Sequence, residues 1–148
     1  FRKVKIYLQQ GKQVLFSGTP CQIAGLRNYL GQDYNKLICI EIICHGVGSP
    51  GVLADYLLEY EKSVGSRPIK FIFRHKKKFM GSWSDFLTTI IFENGKSIST
   101  RFDPYTMGFL RSLFLRRCCY SCPYASEMRV SDIVIGDFWG IENTHPKL

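Results

Sequence analysis

Hydrophobic positions change their period several times along the chain, and each change marks an expected element. Around residues 3–10 the apolar positions are Val4, Ile6, Tyr7 and Leu8, which reads as the tail of a helix, and Gly11 suits the turn that closes it. Gln13-Val14-Leu15-Phe16 reads as a short buried strand, ended by Ser17-Gly18-Thr19-Pro20. Helical spacing returns from Cys21 to Leu30, with Ile23, Leu26 and Leu30 on one face and Gly31 as the stop. Lys36 to Ile43 is almost wholly apolar, which predicts a strand buried on both faces. Alternation puts Leu37, Cys39, Glu41 and Ile43 on one side of it and Ile38, Ile40, Ile42 and Cys44 on the other. Ser49 and Pro50 open a further helix that runs to about Val64 and closes at Gly65.

Ile69 to Arg74 reads as a third strand, so the order so far is strand, helix, strand, helix, strand. Right-handed crossovers turn that order into a parallel core. Phe86–Phe92 and Lys96–Phe102 flank Asn94-Gly95, a strong hairpin signal that adds an antiparallel part. Asp103-Pro104 begins a helix expected to reach about Leu115, and Asp132 to Gly136 is a final short strand. The expected fold is α/β (mixed α+β): a three-layer-like mixed sheet with a parallel βαβαβ core and an antiparallel hairpin, flanked by helices. One domain, residues 1–148, is expected.

Composition narrows the class. At 148 residues with 45% apolar content, the chain can bury a proper core. No apolar run approaches the roughly 18 residues of a membrane span, so no membrane partner is expected. The first residues already lie inside a helix-like pattern, without an initiator Met, so the chain is expected to be a piece of a longer polypeptide. A net charge of +8 reads either as an ordinary solvated basic face or as a surface for an anionic cofactor or acidic redox partner. No nucleic-acid-binding module accompanies the charge, and no nucleic acid partner is expected. The six cysteines come without an export signal, which favours a reducing cytoplasm over disulfides.

Those cysteines carry the chemistry. Cys119-Tyr120-Ser121-Cys122 places two thiols where one turn can grip one metal, and such a pair needs two more ligands. Cys21 and Cys44 are the best candidates, because each follows an expected parallel strand and the carboxyl ends of such strands share an edge. Cys39 reads as a core thiol, and Cys118 is ambiguous. Spacing alone leaves iron–sulfur, a structural zinc clasp and a thioredoxin-type dithiol open. Ser17-Gly18-Thr19-Pro20 reads either as a plain strand-to-helix turn or as a cradle whose amides hold an anion. Arg74, His75 and Lys76 begin a basic run before Trp83, and Asp137-Phe138-Trp139-Gly140 either packs or lines a pocket. His45 adjoins Cys44; His75 and His145 read as surface residues. No Gly-x-Ser-x-Gly motif, Walker loop or paired carboxylates are evident.

Taken in order, VLFSGTPCQIAGL (14–26), ICHGVGSP (43–50), FRHK (73–76), GSW (81–83), CYSCPY (119–124) and SDIVIGDFWGI (131–141) resemble one family. It is the C-terminal domain of the beta subunit of coenzyme F-420-reducing hydrogenases and dehydrogenases. The resemblance implies an oxidoreductase, an iron–sulfur flavoprotein that passes electrons between a 4Fe–4S cluster and FAD, and on to a deazaflavin or another small acceptor. It implies Cys21, Cys44, Cys119 and Cys122 as cluster ligands. Ser17, Gly18, Thr19 and Gln22 become the flavin-side loop, with Arg74, Lys76 and Trp83 as further contacts. A ferredoxin-like domain or redox partner protein is the implied electron source. The family's N-terminal segment, which contributes to the flavin pocket, lies outside this sequence, so the fragment alone is expected to be inactive. The rival reading is a zinc-stabilised, non-catalytic interaction module.

Overall fold

The computed structural model describes residues 1–75 and 87–137. Contacts divide the chain into two compact units, Phe1–His45 with Cys122–Leu148, and Gly46–Ser121.

In the first unit α1 (Arg2–Gln9) leads through Gly11, at φ 73°, into β1 (Val14–Gly18). α2 (Pro20–Leu30) follows and ends at Gly31, also left-handed at φ 73°. β2 (Leu37–Ile42) lies parallel to β1, with Val14 opposite Leu37 and Gly18 opposite Glu41. β6 (Ile133–Ile135) pairs parallel on the other edge of β2, from Ile40–Ile133 to Ile42–Ile135. The core sits on one face of this sheet, where Leu8, Ile23, Leu26 and Leu30 pack around Cys39. Ile23 and Leu26 are fully buried, and such burial stabilises by roughly 1.5–3 kcal/mol per side chain.

Strand alternation in β2 is as expected, since Cys39 and Glu41 are both wholly inside. Burial on both faces is not. Leu15 is 62% exposed and Ile42 45%, because α1 and α2 both pack on the opposite face of the sheet.

The second unit holds α3 (Pro50–Val64), β3 (Pro68–His75), β4 (Leu87–Phe92), β5 (Ser97–Thr100), α4 (Pro104–Leu110) and the single turn α5 (Arg117–Tyr120). The strands form an antiparallel sheet in the order β3-β4-β5. The α/β class therefore holds, but the single mixed sheet does not. The third parallel strand is β6, and β3 pairs antiparallel with β4 in a separate sheet. An apolar run declares that it will be a strand; it does not declare its partner, which depends on contacts across the fold.

The core of this unit is aromatic, with Tyr56, Phe71, Phe73, Tyr105, Phe109 and Phe114 in mutual ring contact. Asp103 caps α4 by accepting from the Thr106 amide at 2.8 Å, and its other oxygen accepts from the Tyr56 hydroxyl. The expected helix to Leu115 stops at Leu110. Beyond it Ser112 turns to φ 58° and the chain folds back, so that the Phe114 ring lies over Gly108. A Cβ on Gly108 would stand 2.5 Å from that ring. His75, expected at the surface, is half-buried in β3 with its Nδ1 at 2.8 Å from the Thr89 hydroxyl. Among the described residues no helix is long and apolar enough to cross a membrane.

Candidate metal centre and cofactor loop

Cys21 lies in the first turn of α2, just beyond β1. Thr19 is the N-cap, and its amide donates to Gln22 Oε1 at 2.9 Å. This is the reciprocal device that satisfies amides left without partners at a helix start. The Thr19 hydroxyl also donates to Gln22 Oε1 at 3.2 Å and lies 3.2 Å from Cys21 Sγ. Gly18 serves the same turn, since a Cβ there would approach Gln22 Oε1 to 2.9 Å. Gly18, Thr19 and Gln22 thus build the helix start that presents Cys21, and the Thr19-x-x-Gln22 spacing was the available signal.

Cys44 is exposed and follows β2, whose ladder continues to Ile43 through its amide bond to Ile135 O at 2.9 Å. Since β1 and β2 run parallel, the chain leaves both strands toward Cys21 and Cys44 at the same end of the sheet. Cys39 is the core thiol it was expected to be. Burial pushes its pKa up, with Asp132 adding and Arg27 opposing.

Cys118 and Cys119 sit on α5, with the Cys119 amide bonded to Arg116 O at 2.8 Å. Tyr120 anchors this turn. Its hydroxyl donates to Ser112 O and accepts from the Leu115 amide, both at 2.9 Å. Cys122 opens a further turn, closed by Ala125 N to Cys122 O at 3.1 Å. Cys119 and Cys122 are half-buried, Cys21, Cys44 and Cys118 exposed, and none of the six forms a disulfide. Cys21, Cys44 and Cys122 belong to the first unit, Cys119 to the second.

The donor set fits a thiolate-held metal in kind and number. Among the described residues the side chains do not gather three such donors into one group. Arg74 stands exposed on β3, while Lys76, Trp83, Phe138, Trp139, Gly140 and His145 lie outside the described residues.

A second set of groups escaped the sequence reading. Glu41, fully buried, pairs with Arg129 at 3.3 Å. Asp132 accepts from the Cys39 amide at 2.6 Å and from Arg27 at 3.2 Å, and Arg27 Nε donates to Val130 O at 2.9 Å. A lone charge in an apolar strand, on the same side as Cys39, was the one hint of this set.

Residues 11–147 match a family model, that of the C terminus of the coenzyme F420 hydrogenase/dehydrogenase beta subunit. No curated protein matches the chain.

Proposed function

The chain belongs to the family formed by the C-terminal part of coenzyme F420 hydrogenase/dehydrogenase beta subunits, and on that premise we propose that it is an electron-transfer domain. In this reading Cys21, Cys44, Cys119 and Cys122 hold a 4Fe–4S cluster. Ser17, Gly18, Thr19 and Gln22, with Arg74, Lys76 and Trp83, contact FAD. When bound, the two groups supply one-electron relay and two-electron hydride chemistry, with a deazaflavin or another small molecule as acceptor. The observation that carries the proposal is the set of four cysteines outside any disulfide, in a chain matched to the family almost end to end.

The chain's own residues have defined tasks. The capped start of α2 presents Cys21, with the Thr19 hydroxyl 3.2 Å from its sulfur. Tyr120 fixes the turn that carries Cys119. The basic surplus attracts the phosphates of FAD and an acidic ferredoxin-like partner, in a cytoplasmic setting that keeps the thiols reduced.

Anaerobic reconstitution with iron and sulfide tests this. We expect an absorption shoulder near ~400 nm and an EPR signal on reduction, both lost or altered in Cys21→Ser. Stoichiometric zinc without either signal would establish the rival interaction module instead. Full cluster retention in Cys21→Ser would remove that residue from the ligand set.

A further inference from the structure

The segment from Cys122 to Asp132 is built of turns and bends, yet Cys122 is half-buried. Backbone hydrogen bonds act near its two ends, Ala125 N to Cys122 O at 3.1 Å and Asp132 N to Cys39 O at 3.0 Å, and side chains hold what lies between. Val130 packs against the core of the first unit, Arg27 grips Val130 O and Asp132, and Asp132 reaches the Cys39 amide. Nearest to Cys122 along the chain is Arg129, whose guanidinium meets Glu41 at 3.3 Å.

Glu41 is a costly residue for that position. It sits in β2 with no exposed surface, and among the described residues its Oε2 has no hydrogen-bond partner. An apolar residue in the same place avoids the desolvation of a carboxylate, so stability alone does not account for it. The pair does join two cysteine-bearing pieces of chain. Glu41 lies on the strand that leads into Cys44, and Arg129 lies on the segment that starts at Cys122.

We infer that Glu41 and Arg129 are positioning residues, which hold the Cys122 segment in register with the strand that delivers Cys44. The inference rests on the metal-centre reading above for its purpose, but not for its geometry. Arg129 is the one described group facing the Glu41 carboxylate, so removing it leaves a buried charge uncompensated and releases the segment. Partners that orient metal ligands in this way commonly change metal affinity by roughly 10–100-fold when removed.

The test uses the full chain. Maleimide labelling of the apoprotein, resolved by residue with mass spectrometry, is compared for wild type, Glu41→Gln, Arg129→Gln and Arg129→Lys. We expect Cys122 to label faster than in wild type in Glu41→Gln and Arg129→Gln, with Cys21 unchanged and Cys39 still protected. Arg129→Lys keeps the charge and restores most of the protection. In the iron-loaded protein, a chelator should extract metal faster from the same two variants. If Cys122 labels at the wild-type rate in both, the inference fails. If every cysteine speeds up together, or if both variants unfold, the pair supports the whole unit rather than the segment, and the inference also fails. A wild-type chain that takes up no iron, while Cys122 still responds to the variants, would overturn the metal reading and leave the positional role standing.

Discussion

Tyr56 shows how much one buried contact can control. Burial, and then its hydrogen bond to Asp103, hold its pKa well above the ordinary phenol value. The folded chain therefore keeps this proton at pH values where the unfolded chain loses it. Tyr56's contribution is complete below about pH 10 and declines as pH rises beyond it. In Tyr56→Phe, Asp103 loses one partner, and urea denaturation at neutral pH should show a loss of about 1–3 kcal/mol. The alkaline decline should also become shallower in that variant. Gln22 is a milder case, where Gln22→Ala should cost about 1 kcal/mol by removing half of the reciprocal cap. The two partnerships differ in how far they could be read locally. Thr19 and Gln22 are three positions apart, whereas Tyr56 and Asp103 are 47 apart and meet only in the folded aromatic core.

At the scale of elements, the strongest local signals were faithful. Asn94-Gly95 joins β4 to β5, with Gly95 at φ 80°. Gly95→Ala should destabilise by about 1–2 kcal/mol, because a Cβ strains that conformation, and the cost should appear as a lower thermal midpoint. Gly31 and Gly65 stop α2 and α3 as their positions promised. Errors fell where distant contacts took over. α4 ends early because Phe114 folds back over Gly108, which helical spacing alone does not reveal. Cys44 and Cys119 were legible as candidate ligands from their motifs. Glu41 and Arg129 were not, being 88 positions apart with no motif between them.

For the molecule as a whole, the charge of +8 acts on every element at once. Like-charge repulsion opposes compaction, so raising salt from about 20 mM to about 200 mM should raise the thermal midpoint as screening shortens the interaction range. The class of the elements, most of their limits, the family and the candidate thiols were legible in the sequence alone. Those depend on periodicity, caps, turn residues and short motifs, which act within a few residues. Long-range contacts made β6 rather than β3 the strand that completes the parallel sheet, and they left Leu15 and Ile42 exposed on one face of it. Contacts across the fold also brought the buried Glu41 to Arg129, 88 positions away. Strand partners, buried ion pairs and uncovered faces arise between segments far apart in the chain, and their free energy exists only once those segments meet.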